Sequence, residues 1–319
     1  MLLDPSPFRA ALAALSSLQL ALLFSGCANA ETSNDNALLP EAAVVAEMVF
    51  IVRVTGKGED VRVEVPLPVA GENVGILNEE FRLRGFSMEE VEREGMRLAV
   101  LEHPKLEGRR RFTYKALLAL DPFEHEVTFR PAEEGLDPTL RRYTLPTPRL
   151  QSRSPLVRER LIEHLEPRLE AGEDDLVRGI YNLVAGQFER RSAGGTGLVL
   201  RALREDQAND VGLDRLLVTF MRSAGIPARN VTGFRLRTDG GRKLERWTEV
   251  HVEGRWVPMS APKGWYGVLP PQYLRMTHGE RRLIEREGVE RLTFKVLVRD
   301  PRPMASPDGP EPGAPGDES

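Results

Sequence analysis

The apolar residues change their spacing twice along this chain, and that double switch limits the fold more than any other feature. Between residues 46 and 147 apolar and polar positions alternate. Val61, Val63 and Val65 form one set, and Met96, Leu98 and Val100 another. Phe112, Tyr114 and Ala116 resume the pattern beyond a charged stretch that reads as a turn. A period of two is the signature of half-buried strands. Gly56, Gly58, Pro66, Pro68, Gly71 and Pro122 punctuate them. One exception is expected at Ser87, where Glu90 three residues on completes a capping box and predicts a short helix. The segment therefore reads as a small antiparallel sandwich or barrel.

After a linker between Pro146 and Pro155 the period lengthens to that of a helix. Ser154 before Pro155 supplies an N-cap and a proline at the first helical position. Leu176, Val177, Ile180, Leu183, Val184 and Phe188 make one apolar stripe. Leu213, Leu216, Leu217, Phe220 and Met221 make a second, which stops at Gly225. Period two then returns over Asn230–Leu236, Glu245–Val252 and Arg255–Met259, with Glu253-Gly254 as a hairpin turn, and again over Leu292–Val298. Gly194-Gly195-Thr196-Gly197 lacks the Gly-Lys-Ser/Thr ending of a phosphate loop and reads as a flexible link between helices. The order predicts an α+β protein. Its divisions are a leader (1–30), a spacer (31–45), an N-terminal β domain (46–147), a second domain (148–298) and a tail (299–319) whose Pro, Gly, Asp and Ser content predicts disorder.

Residues 10–24 are the chain's one long apolar run, with Arg9 before it. That is short for a membrane span, which needs about 20 residues, and fits an export signal. Phe24-Ser25-Gly26-Cys27 follows, and Cys27 is the chain's only cysteine. Small residues before a lone cysteine resemble a bacterial lipobox, with Cys27 as the lipidated residue. Cleavage after Ala28-Asn29-Ala30 and an uncleaved anchor are the competing readings. Each puts the remaining chain in the cell envelope, on the periplasmic side of a bacterial membrane. Net charge is -4 with 29% charged residues, so no basic field points to nucleic acid. Arginine outnumbers lysine, but acidic residues are interspersed, which predicts a mixed surface and no phosphate-binding patch.

Residues 222–234 read Arg-Ser-Ala-Gly-Ile-Pro-Ala-Arg-Asn-Val-Thr-Gly-Phe, followed by Trp247-Thr-Glu-Val and Gly254-Arg-Trp-Val-Pro. In order and spacing these resemble the transglutaminase-like (papain-like) superfamily over residues 150–265. The resemblance implies a catalytic Cys, His and Asp. Counting places them at Asp210, Glu245 and Ser260, so all three are replaced. Chemistry of that kind needs a thiolate, an imidazole base and an orienting carboxylate. No cysteine exists beyond Cys27. The resemblance is nearer still to the inactive transglutaminase-like ectodomains that bacteria fuse to seven transmembrane helices. It is carried by Val61–Pro68, Leu77–Phe81, Arg84-Gly-Phe86, Arg111–Lys115 and Leu269–Tyr273. It implies a peptide-related envelope role linked with peptide ligases, although the seven helices have no counterpart here.

The implied cleft contains Asp210 facing Glu245, with Asp214, Trp247, Glu249 and His251 near them. Glu245, Trp247, Glu249 and His251 share one strand face by period two. Two carboxylates so placed could share a proton, hold a metal or act as acid and base. Alternatively Asp210 caps its helix and Glu245 is solvated beside Arg242, Lys243 or Arg246. Trp247 and Trp256 read as core or cleft-wall residues, His251 as a partnered sheet histidine, and Arg229 as the partner of a carboxylate. The expected function is non-catalytic: a pseudo-transglutaminase, with no cofactor and no metal, that binds a peptide or envelope protein. A carboxylate- or metal-dependent hydrolase using Asp210 and Glu245 is the first alternative. An architectural lipoprotein subunit is the second.

Overall fold

The structure is a computed structural model that describes residues 43–128, 136–170, 175–192, 194–237 and 243–304. The leader, Cys27, Arg242 and residues 305–319 lie outside the described residues. In chain order the strands are β1 (Val44–Leu67), β2 (Val74–Arg82), β3 (Ser87–Arg93), β4 (Met96–Leu120) and β5 (Phe123–Glu124). Helices α1 (Pro155–Glu170) and α2 (Leu176–Gln187) follow, then β6 (Glu189–Arg190), α3 (Val199–Glu205), β7 (Gln207–Ala208) and α4 (Asp210–Ser223). The chain ends with β8 (Ala228–Arg235), β9 (Lys243–Val252), β10 (Arg255–Ser260), β11 (Trp265–Tyr266), β12 (Val268–Leu269), β13 (Tyr273–His278), β14 (Glu285–Glu287) and β15 (Arg291–Pro303). Two 3-10 turns span Arg141–Thr144 and Ala261–Lys263. The protein is α+β with antiparallel main sheets.

The described chain divides into two compact units. A β unit holds residues 43–126, Arg229–Trp247 and 267–304, and a helical unit holds Val127–Ala228 and Thr248–Tyr266. The β unit thus draws on three separate stretches of sequence. Its backbone is the pairing of β1 with β4, which runs in register from Val44↔Leu120 to Leu67↔Arg97. On one side β4 pairs β3 and β2, and on the other β1 pairs β14 and β15. The inward face carries Phe50, Val52, Phe112 and Tyr114, all fully buried. Phe234 and Leu236 of β8 and Leu274 and Met276 of β13 pack onto it, with Phe50 edge-on to Phe234 at 5.4 Å. Burying each such side chain contributes roughly 1.5–3 kcal/mol.

Three expectations are corrected here. Ser87 begins strand β3, not a helix. Glu94 and Gly95, at φ 58 and 73, form a tight two-residue turn that folds β3 back on the start of β4. Glu90 is held by Arg97 across that hairpin at 2.5 Å and is not spent on a cap. The charged stretch before Phe112 is no turn either. β4 is one strand of 25 residues, and its charges lie on a solvated section of a continuous ladder. β15 runs to Pro303, past the Arg299 where the sequence places the start of the tail.

In the helical unit α4 is central, packing against α1, α2 and α3. Its inward residues Leu213, Leu216, Leu217, Phe220 and Met221 are buried, as their spacing predicts. It ends in a Schellman motif. Gly225 at φ 79 sends its N–H to the Arg222 carbonyl at 3.1 Å, and Ile226 sends its own to Met221 at 2.9 Å. Arg222 is buried there and donates to the carbonyls of Ala228 (2.9 Å) and Leu145 (2.7 Å). The later half of β9 pairs with β10 through the Glu253-Gly254 turn, and β10 pairs with β11.

Candidate functional site

The N-terminus of α4, where the resemblance puts a nucleophile, is built by the loop before it. Asn209, not Asp210, is the cap. Its Oδ1 accepts from the Gly212 N–H at 2.9 Å, and its Nδ2 donates to the Gly195 carbonyl at 3.0 Å. The Asn209 N–H reaches the Thr196 carbonyl at 3.1 Å. Gly212 sits so close that a Cβ there would lie 2.3 Å from that same oxygen. The segment 194–197 is therefore a brace packed on the helix start, in place of the flexible link expected from its glycines.

Asp210 is the first residue of α4, where a negative charge suits the helix dipole. Both of its oxygens are taken. Arg190 of β6 donates from Nε at 2.7 Å and from a terminal nitrogen at 2.9 Å. The side chains are 43% and 47% exposed, so the fork holds geometry more than it adds stability. One turn on, Asp214 is only 2% exposed. Ser260, fully buried at the end of β10, donates its hydroxyl to Asp214 Oδ1 at 2.9 Å. Thr248 of β9, also fully buried, donates to the Asp214 carbonyl at 3.1 Å. The structure thus unites Asp214 with Ser260 in one buried cluster.

Glu245 belongs to the β unit and is described there. It is 8% exposed, so the solvated reading is corrected: Leu244 and Arg246 take the outward positions, and Glu245 and Trp247 the inward ones. Trp247 is fully buried and stands edge-on to Tyr273 of β13 at 6.3 Å. Gly233 makes room for its ring, since a Cβ there would lie 2.6 Å from it. Burial pushes the Tyr273 phenol up to about 12; the Arg235 guanidinium, 5.7 Å from its ring, works against that and Glu245 adds to it.

Glu249 is 5% exposed, but Thr248 and Val250 beside it are buried too. The strand's second half is therefore enclosed on both faces. His251 is half-buried and stands edge-on to its cross-strand neighbour Trp256 at 5.2 Å. Tyr143 meets the same indole at 4.9 Å. Arg229 is buried. Sequence reasoning gave no role to Arg190, Thr248 or Tyr273, the last two being quoted only within the motifs. Thr248 was readable in principle, as the residue of opposite parity beside Trp247.

Among the described residues no three His, Cys, Asp or Glu side chains are grouped to hold a metal. A pocket of about 330 Å³ in the helical unit is lined by Arg160, Glu163, His164, Pro167, Arg168 and Gln187, none of them a predicted site residue.

A helix that ends at the Gly225-Ile-Pro-Ala turn, with antiparallel strands after it in the chain, is the arrangement the sequence motif implies. Residues 163–261 match the family model of the transglutaminase-like superfamily. This stretch is a transglutaminase-like domain. No curated protein matches the chain. A candidate cysteine protease from Cytophaga hutchinsonii is similar in structure, with a TM-score of 0.58 and 15% identity over 81% of this chain and 91% of that one. The likeness establishes fold alone. The periplasmic domain of TgpA from Pseudomonas aeruginosa gives a TM-score of 0.33 at 14% identity, covering 72% of this chain and 89% of that one, a value too low to argue from.

Proposed function

We propose that the protein is a pseudo-transglutaminase of the bacterial cell envelope that binds a peptide or protein partner without turning it over. One observation carries the reading. Where the resemblance puts the nucleophile and the orienting acid, Asp210 is forked to Arg190 and Ser260 is bonded to the buried Asp214. Both of these replacement groups are already engaged by other side chains of the protein. Residues 163–261 also contain no cysteine, so no thiolate can form. A carboxylate nucleophile at Asp210 would first have to give up a bidentate guanidinium that fills its approach. Fold alone does not confer activity.

The test uses the full chain. Amide hydrolysis and transamidation are assayed on glutamine- and glutamate-bearing peptides and on cell-wall peptides, alongside a thermal-shift screen of the same compounds. A ligand at 100 times its dissociation constant stabilises by about 2.7 kcal/mol, well within detection. Binding without turnover is expected. Turnover abolished by Asp210→Ala would overturn the non-catalytic reading, and no binding by any peptide would remove the peptide part of it. Mass spectrometry of the mature N-terminus tests the lipid anchor: a lipid on Cys27 supports it, and a chain that begins at Glu31 or at an unprocessed Met1 refutes it.

A further inference from the structure

The sheet of the β unit presents an outward face unlike the mixed surface expected from the sequence. Three neighbouring strands set it. Cross-strand pairing puts Arg53 directly opposite Arg111 on β4 and Thr293 on β15. Thr55, two residues on, stands opposite Arg109 and Arg291. Two residues back, Ile51 stands opposite Thr113 and Lys295. The alternate residues Val52, Val54, Phe112 and Phe294 belong to the core on the other side, so these positions point away from it. Arg53, Arg109, Arg291 and Lys295 are exposed and Arg111 is half-exposed.

Same-face residues repeat about every 7 Å along a strand, and strands lie about 4.8 Å apart. These cations therefore crowd onto a patch three cross-strand rows long and three strands wide. Like charges directly opposite one another destabilise a sheet. Among the described residues none of these five side chains makes an ion pair or hydrogen bond. Glu59, farther along β1, stands opposite Lys105, and the other carboxylates around the patch are engaged elsewhere. Glu107 pairs with Lys105, Glu80 with Arg82, Glu47 with Lys115 and Arg299, and Glu290 accepts from the Lys57 N–H. All this occurs in a chain of net charge -4. Glutamates interspersed along the sequence fall on other faces or on other partners, which is why the patch is hidden in the linear order.

We infer that this face docks on an anionic membrane surface, its arginines meeting the phosphates of phospholipid headgroups. Four of the five cations are arginines, whose planar fork matches phosphate oxygens two at a time. They stand on a sheet face that is open and not in a groove, which suits a planar array of anions better than an extended acidic peptide gripped from both sides.

The test is co-sedimentation of the full chain, with Cys27→Ser in every arm so that no acyl anchor contributes. Vesicles of phosphatidylglycerol mixed with phosphatidylcholine are compared with vesicles of phosphatidylcholine alone. The apolar leader enters both kinds, so the difference between them reads the patch. Preference for the anionic vesicles is expected and should fall as salt is raised. Each basic residue lost near such a surface weakens binding about fivefold. Arg53→Gln, Arg111→Gln and Arg291→Gln combined should then cost that preference on the order of 100-fold. The matched triple Arg153→Gln, Arg158→Gln and Arg204→Gln, at exposed positions of the helical unit, should leave it unchanged. Equal partition to both vesicles, or equal loss in the two triples, overturns the inference. So does capture of soluble polyglutamate by the patch with no preference among vesicles, which would make the partner an acidic polypeptide.

Discussion

Restoring the family's aspartate at Ser260 should damage the protein, and by a calculable amount. Ser260 Oγ lies 2.9 Å from Asp214 Oδ1, and both residues are at most 2% exposed. Ser260→Asp would set a second carboxylate against the first with no water to screen them. Two such groups cannot both ionise, so one keeps its proton. Holding a carboxyl with an ordinary pKa near 3.9 protonated at pH 7 costs about 1.36 × 3.1, or roughly 4 kcal/mol. The sign follows from linkage. The folded-state pKa is raised above the unfolded one, so the penalty vanishes below about pH 3.9 and grows by about 1.4 kcal/mol per pH unit above it. At pH 5 it should be only about 1.5 kcal/mol. Ser260→Asn has the same size without the charge and isolates the steric part. Ser260→Ala loses only a hydrogen bond to a buried carboxyl group, about 1.5–3 kcal/mol with no such slope. Urea unfolding followed by circular dichroism at pH 5 and pH 7 measures all three. If Ser260→Asp matches Ser260→Asn at pH 7, or its deficit is the same at both pH values, the buried contact with Asp214 is refuted.

Other consequences can be checked in the same way. For Glu64, burial raises the carboxyl pKa, but bonds from Arg93, Arg62 and Arg281 outweigh it and hold the pKa below the usual range. Its contribution is therefore present above the unfolded pKa and lost as pH falls through the folded one. Glu64→Gln should cost about 1–2 kcal/mol at pH 7, discounted for its half-exposed partners, and flatten the acid limb of a stability profile. Gly233→Ala would drive a Cβ to 2.2 Å from the Leu274 carbonyl. It should lose on the order of 3 kcal/mol, with altered Trp247 fluorescence. Burial pushes the phenols of Tyr181 and Tyr273 up to about 12, so their phenolate absorbance should rise near that pH. Stability held by the neutral phenols should fall as pH climbs from the unfolded value near 10. Asp210→Ala should change the melting temperature little, because its bond with Arg190 is solvent-screened and worth under about 1 kcal/mol.

What the sequence made legible was local. The stripe from Leu213 to Met221, its stop at Gly225 and the strands around Trp247 and Trp256 follow from short-range periodicity and turn chemistry. Ser87 misled because a capping box is a local signal, while the Glu94-Gly95 turn and the partner strand β4 decided the outcome. The pairing of Asp214 with Ser260 spans 46 positions and has no local trace. Neither has the fork between Arg190 and Asp210, which depends on where β6 is laid. The cationic face was hidden for the same reason. Arg53, Arg111 and Arg291 are scattered in the chain and become neighbours only through strand register. Glu245 looked solvated because charged residues flank it, yet strand parity alone turns it inward.

The closing of β15 on β1 has a mechanical consequence. Val44 pairs with Pro303, and the Met304 N–H bonds the Ala43 carbonyl at 3.1 Å. The first and last described residues therefore leave the sheet at one point, on adjacent antiparallel strands. A load drawn through both flanking segments would open that ladder from its end like a zipper, one pair of bonds at a time. A load drawn between either end and the far tip of the β1–β4 pair would pull many bonds in shear together. The molecule should yield easily along the first axis and resist along the second. Pulling it in an optical trap from the two attachment geometries would separate them.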